Sequence, residues 1–359
     1  MRILYIGNGG YKYNAQRFYL SDTRFVNGLT RNGHMVWFFS DRDLLRMLSP
    51  LHMRYFGLSK VNQALMKVVH QLQPDAILLG AAEIVTTRTL RKIRQYHPHI
   101  RIGQINVDPI FNPYKVGRYL DRTGGVDMQF FTTGGPALRA FATETQPCYF
   151  IPNPIDASID TGRAHEIAAP QFDLTCAMTV DTRFVDGRTR QALALGVAEQ
   201  LPQLKTCYRG FGGRPMLRGQ EYIRTYGNSA MALSLSQHIS GNAESTPEQR
   251  YLYSSDRIAH VMGNGSLAFV ADMFALDKLF TNEEIVLFSG LDDLVEKVRF
   301  YAEHPGARRE RAKRGWQKVH RDFETMRVMR FVMERLMDKP LSEEYPWPTE
   351  GYYKGAGAA

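Results

Sequence analysis

Short apolar runs and longer amphipathic stretches alternate along most of the chain. Residues 2–6 form an apolar run that ends in Gly7-Asn8-Gly9-Gly10. Residues 17–32 carry Phe18, Phe25, Val26 and Leu29 at roughly helical spacing and stop at Gly33. The same pattern predicts strands at 35–39, 75–80, 102–107, 128–131 and 148–151, with helices at 61–72 and 87–96 between them. Residues 153–171, just after Pro152, break this rhythm, with Pro154 and Pro170, several small residues and no amphipathic period. The rhythm then restarts. Strands are predicted at 174–178, 204–208, 231–235, 267–270 and 285–288, and helices at 189–200, 254–262, 291–303 and over most of 308–335. Residues 345–359 read as irregular.

Short, wholly apolar strands separated by helices are the pattern of βα units on a parallel sheet. The fold class expected is therefore α/β, with two Rossmann-like domains. The boundaries predicted are a first domain over 1–152, a linker over 153–171, a second domain over 172–335 and a tail over 336–359. Open α/β sheets bind ligands at the C-terminal ends of their strands. Two such edges facing a central cleft would make a small-molecule site.

The chain has 359 residues, enough for two cores, and its 44% hydrophobic and 23% charged residues exclude a mainly disordered chain. The longest apolar runs, 76–82 and 266–271, fall far short of the ~20 residues of a membrane helix. The first residues are too short and too strand-like for a signal peptide. Cys148, Cys176 and Cys207 are isolated, with neither disulfide nor metal spacing, which suits a reducing cytoplasm.

Charge changes the picture more. There are 45 Lys and Arg against 36 Asp and Glu, a net +9, and arginine outnumbers lysine. A polyanionic partner is implied: nucleic acid, an anionic membrane surface or a phosphorylated small molecule. Nucleic acid is disfavoured, because no recognised module interleaves aromatic and basic residues. The basic run 299–335 reads either as an ordinary helix pair or as a face for peripheral contact with an anionic membrane at its inner side.

Several constellations carry candidate chemistry. Gly9, Gly10 and Tyr11 lie in the turn after the first strand, where backbone N–H groups approach an anion or merely close a βα turn. Lys12 and Tyr13 line the same loop, and Lys12 reads as a solvent-exposed side chain. Glu83 and Asp108 follow strands of the first domain, so either is a candidate base for an acceptor hydroxyl, or a cap or turn residue. His34 reads as structural, and His52 lies in a loop of the kind that shapes an acceptor site. The densest signal is the run 251–266. There Ser255 is expected to cap a helix carrying Arg257 and His260, followed by the turn Asn264-Gly265-Ser266. A helix start, a hydroxyl and an arginine together suit a diphosphate. The alternative is a capped amphipathic helix ended by a glycine.

This last run resembles the C-terminal domain of GT-B glycosyltransferases, most nearly the spore-maturation, group 1-like type. The ordered set is Ser255, Arg257, His260, Gly265 and the strand 267–270. Downstream come 277–286, 291–294, Arg309, Arg311, Ala312 and Gly315. Residues 172–178, with Arg183, Arg188 and Arg190, resemble the first strand and helix of that domain, and 230–236 a later strand. The resemblance covers about 172–330. It implies a hexosyltransferase that moves a sugar from a nucleotide-diphosphate sugar to a glycan, lipid-linked or small-molecule acceptor. It also implies no bound metal or other cofactor, with cationic side chains stabilising the leaving group. Carried over by position, Ser255, Arg257, His260, Asn264, Gly265 and Ser266 match the donor segment, with Arg183 or Arg188 assisting. Glu284, or its neighbour Glu283, matches a position near the donor ribose. One departure stands out. His260 occupies the place of the family's usual glutamate, and Ala268 that of the partner glutamate, so stereochemistry stays open. A non-catalytic sugar-nucleotide-binding protein and a nucleotide-sugar epimerase of the same fold are the alternatives.

Overall fold

A computed structural model describes residues 1–49, 54–183, 185–237 and 245–355. The chain divides into two compact units, Met1–Pro152 with Thr325–Ala359, and Asn153–Glu324.

The first unit contains β1 (Arg2–Gly7), α1 (Ser21–Arg31), β2 (Met35–Ser40), α2 (Asp41–Leu48), α3 (Arg54–Leu72), β3 (Ala76–Leu79), α4 (Thr87–Tyr96), β4 (Arg101–Asn106), α5 (Pro113–Arg122), β5 (Met128–Phe131) and β6 (Cys148–Phe150). Its six strands pair in parallel in the order β2-β1-β3-β4-β5-β6. β3 and β5 are buried at every position, the mark of a parallel sheet covered on both faces. Leu4, Ile6, Ile77 and Leu79 from the strands pack with Val61 and Leu65 of α3 and Leu90 and Ile93 of α4. The helical spacing of those positions puts one apolar stripe of each helix against the sheet. Thr86 caps α4, its Oγ1 accepting from Thr89 N at 3.2 Å. Helix α1 begins at Ser21, later than residue 17, because Asn14 and Ala15 both adopt left-handed backbone and break the turn before it.

The second unit contains β7 (Phe172–Ala177), α6 (Val185–Gln200), β8 (Thr206–Arg209), α7 (Gly219–Gly227), β9 (Ser229–Leu233), α8 (Pro247–Arg250), α9 (Arg257–Gly263), β10 (Leu267–Ala271), β11 (Val286–Phe288), α10 (Leu291–Glu303) and α11 (Pro305–Asp322). Its five strands are again parallel, in the order β11-β10-β9-β7-β8. Both sheets therefore start with a strand flanked by the second and third strands of their unit. In such sheets the connections leave the first strand in opposite directions, and the point where they diverge is where ligands bind. That point lies between β1 and β3 in the first unit, and between β7 and β9 in the second.

Three boundary expectations differ from the structure. Residues 153–171 are no linker but part of the second unit. Asn153 Nδ2 donates to Ser254 O and Oγ, both at 2.9 Å, Ile155 N donates to Phe323 O at 2.9 Å, and Asp156 and Asp160 are buried. The prolines punctuate a packed segment held by hydrogen bonds to the rest of the second unit.

Residues 308–335 are two helices, α11 and α12 (Thr325–Leu336), and the second belongs to the first unit. Thr325 Oγ1 donates to Arg24 O at 2.7 Å. A Cβ on Gly28 of α1 would lie 2.5 Å from Thr325 O, so only glycine admits this approach.

The segment after α12 is no separate tail but packs into the first unit. Tyr345 and Trp347 are buried around Phe331, with ring centroids 5.1 and 5.8 Å away, and Tyr352 forms an antiparallel bridge with Cys148. Aromatic burial supplies what periodicity could not signal.

Candidate functional site

The C-terminal edge of the second sheet is built around Arg257. Its Nε donates to Ala177 O at 2.8 Å, at the end of β7, and its Nη1 to Leu235 O at 3.1 Å, just past β9. The guanidinium thus ties together the two strands flanking the divergence point. Nη1 also reaches Ser255 Oγ at 3.3 Å, while Ser255 N donates to Ser236 Oγ at 3.1 Å. Nη2 takes no hydrogen bond among the described residues, so one face of the fork stays available to an anion. Ser255 does not cap α9. The cap position is Asp256, without a side-chain hydrogen bond, and α9 is seven residues long.

Two more expected residues lie at this edge. Arg183 is exposed in the loop after β7 and pairs with Asp181, Nη2 to Oδ2 at 2.6 Å. That pairing pulls the Asp181 carboxyl down to about 2. Arg188, in the first turn of α6, donates to Thr182 O at 2.9 Å and shapes the same loop.

The remaining members of the expected donor set lie elsewhere. A helix between parallel strands runs back along the sheet, so its two ends reach opposite edges. Arg257 starts α9, and Asn264, Gly265 and Ser266 follow its far end, just before β10. Ser266 Oγ lies 2.6 Å from Tyr226 O and 2.7 Å from Ser229 O, at the entrance of β9. Asn264 Nδ2 donates to Asp160 Oδ1 at 3.1 Å and His260 O at 2.8 Å, and its Oδ1 accepts from Gly162 N at 2.9 Å. Gly265 has φ +78°, and a Cβ there would lie 2.6 Å from His165 Nδ1. His260 is buried, with Nδ1 3.3 Å from Asp160 Oδ1 and its ring edge-on to Tyr222. Glu284 accepts from Thr281 N at 2.8 Å. The pairing of Phe269 with Val286 puts it level with the start of β10, also at the far edge. Glu283 pairs with Arg314. Asn264, Gly265, Ser266, Glu283 and Glu284 knit the unit together at the edge away from Arg257, while His260 packs one helical turn along α9 from it.

A feature the sequence reading passed over lies beside Arg257. The loop after β8, Gly210-Phe211-Gly212-Gly213-Arg214, follows Arg209, the residue paired with Ala177 at the end of β7. Gly210, Gly212 and Gly213 all have positive φ. A strand ending in arginine and followed by three glycines in four residues is a legible signal for backbone that approaches a ligand.

In the first unit, the edge at β1 and β3 is layered. Asp22 is buried and accepts from Tyr5 Oη at 2.8 Å, Asn8 N at 2.8 Å and Ala81 N at 3.2 Å, locking the turns after both strands. Burial raises its pKa. Asp41 accepts from Ile84 N at 2.8 Å, its Oδ1 has no partner, and burial pushes its pKa up to about 6. Gly9 N donates to Ser40 Oγ at 2.9 Å and Tyr11 N to Asp43 Oδ2 at 3.2 Å. The glycine turn, Gly10 included, is therefore no backbone anion cradle: the amides of Asn8, Gly9 and Tyr11 are occupied by the protein's own oxygens. Glu83 pairs with Arg42 on the loop held by Asp22 and Asp41. Asp108 closes a turn in which its N–H donates to Asn106 Oδ1 at 2.8 Å. Glu83 and Asp108 thus follow neighbouring strands, β3 and β4, at one edge. His34 opens β2 and is half-buried, which lowers its pKa. His52 lies outside the described residues.

Among the described residues, no three His, Cys, Asp or Glu side chains converge to hold a metal ion, and no helix is long and apolar enough to cross a membrane.

The glycosyl transferase-like family model matches residues 188–334. A search of curated protein sequences finds no match. Solved structures with the same fold include Anabaena HepE in complex with UDP and glucose, at 14% identity and TM-score 0.60, covering 94% of this chain and 100% of that one. A glycosyltransferase from Rickettsia africae gives 10% identity and TM-score 0.58 over 94% of this chain and 98% of its own. Sucrose-phosphate synthase from Thermosynechococcus elongatus gives 12% and 0.57 over 94% and 98%. The chain is a GT-B-fold protein of two Rossmann-like units whose residues 188–334 match the glycosyl transferase-like family.

Proposed function

We propose that the protein is a glycosyltransferase that moves a sugar from a nucleoside diphosphate sugar to an acceptor hydroxyl. The second unit would hold the donor and the first the acceptor, with no protein-bound metal. One observation carries this reading. Arg257, inside the segment matched by the family model, fixes the β7–β9 divergence point with two nitrogens and keeps Nη2 for a ligand. The UDP in the HepE complexes supports a uridine nucleotide as the first donor to try. Arg257 Nη2, Arg188 and the Arg209–Arg214 loop would neutralise charge on the leaving diphosphate. Glu83 or Asp108 would take the acceptor proton as it attacks the anomeric carbon and the bond from that carbon to the diphosphate breaks.

Calorimetry with UDP, GDP, ADP and TDP tests the donor site. One nucleotide should bind, and Arg257→Ala should weaken it about tenfold or more, the scale of a charge-assisted contact. Arg257→Lys keeps a cation and controls for folding. Nucleotide affinity unchanged in both variants would sink the assignment. With the donor known, loss of transfer in Glu83→Gln or in Asp108→Asn identifies the base, and full transfer in both removes the two candidates. Conversion of donor without acceptor would favour an epimerase instead.

A further inference from the structure

The loop between β1 and α1 holds charges that the donor reading does not use. Lys12 Nζ lies 4.6 Å from the centroid of the Tyr13 ring, and Arg17 Cζ lies 4.0 Å from it. Arg46 also bears on the Tyr13 phenol, whose pKa is lowered by the hydrogen bond from Lys12 and then by Arg17 and Arg46. An aromatic ring holds cations by its quadrupole without neutralising them. Neither Lys12 nor Arg17 has a carboxylate partner among the described residues. The nearby carboxylates face inward: Asp22 and Asp43 are buried and bonded to backbone amides of the loop itself. Negative charge therefore lines the inside of the turn, and unmatched positive charge lies outside it.

The loop is also strained. Asn14 (φ 47°) and Ala15 (φ 62°) are consecutive left-handed residues, a conformation an alanine's Cβ disfavours. Strain of this kind persists where the surroundings impose it, commonly at binding loops. Beside the cations, Tyr11 is 65% exposed and offers a bare aromatic face.

We propose that this loop binds the acceptor through an anionic substituent, with Lys12 and Arg17 taking a phosphate or carboxylate and Tyr11 packing against the ring that carries it. The acceptor class is then a sugar-like, hydroxylated ring with a negative charge. The proposal rests on the glycosyltransferase reading for the word acceptor, but the anion site itself can be measured without donor. Arginine's planar fork and lysine's ammonium suit such a group, and the occupied amides of the glycine turn leave recognition to these side chains.

The test is calorimetric titration of the full chain at low salt with glucose 6-phosphate, glucuronate, methyl glucoside and inorganic phosphate. A charged sugar should bind about tenfold or more tightly than methyl glucoside, and Lys12→Gln/Arg17→Gln should abolish that preference. Lys12→Arg should retain it. UDP affinity in the double variant should match the wild type, which shows that the fold and donor site are intact. Tighter binding of glucose 6-phosphate assigns a phosphate, and tighter binding of glucuronate a carboxylate. Equal binding of charged and neutral sugars overturns the proposal, as does an unchanged preference in the double variant. Inorganic phosphate binding as tightly as the sugar phosphate overturns the ring contact. Failure of wild-type protein to bind any nucleotide would defeat the donor reading and leave the anion result standing.

Discussion

Asp41 is completely buried, accepts one backbone hydrogen bond and leaves Oδ1 without a partner. Its carboxyl, pushed from 3.8 to about 6 by burial, binds a proton more readily in the folded chain than in the unfolded one. Folding is therefore favoured by this group below about pH 4, and the contribution is lost as pH rises through 6. A shift of about two units corresponds to roughly 3 kcal/mol. Asp41→Asn keeps the acceptor for Ile84 N and removes the charge. It should raise the melting point at pH 7.5 and change it little at pH 4. Equal effects at both pH values would show that the buried carboxylate carries no such cost. Nothing in the sequence marks this residue. Asp41-Arg42-Asp43 reads as an ordinary acidic helix start, and only the approach of the loop after β3 closes over the first carboxylate, while Asp43, also buried, pairs with Arg46.

At the scale of elements, α9 decides how much of the expected donor site survives. Read as a string, 255–266 is one cluster; folded, it is two ends of a helix at opposite sheet edges. Ser255 and Arg257 remain at the C-terminal edge of the sheet, and Asn264 joins a buried network with Asp160 and Gly162. Asn264→Ala strips a donor from Asp160 and an acceptor from Gly162 N. Unsatisfied buried groups cost about 1–3 kcal/mol each, so a clear drop in melting point is expected with nucleotide affinity unchanged. A loss of nucleotide affinity without a loss of stability would return Asn264 to the donor site. The basic helices show the same lesson. Arg327 and Arg330 pair with Glu343, Arg314 with Glu310, and Arg308 is buried against Tyr301 O. Much of the positive charge that suggested a membrane face is matched within the fold.

Across the whole molecule, the chain closes its first unit with its last thirty-five residues. α12 packs on α1 and β4 and brings Phe331, Tyr345 and Trp347 into one aromatic cluster. Each such buried side chain contributes about 1.5–3 kcal/mol, and a domain's net stability is only about 5–15 kcal/mol. A chain ending at Glu324 should therefore lose the first unit and keep the second. Limited proteolysis with mass spectrometry should yield a protected fragment near 153–324, and a resistant 1–152 fragment would refute this. The sequence by itself determined the class of fold, the number of parallel-sheet units and nearly every strand, because fully buried strands are short apolar runs bounded by turn residues, while the longer helices between them keep a polar face. The resemblance carried by residues 255–270 also drew attention to Arg257, which the structure places where β7 and β9 end. Which residues stand with Arg257, which unit owns the last helix, and which way the carboxylates of the first turn face were decided only by the tertiary structure. Those depend on contacts between residues hundreds of positions apart, and no local pattern records them.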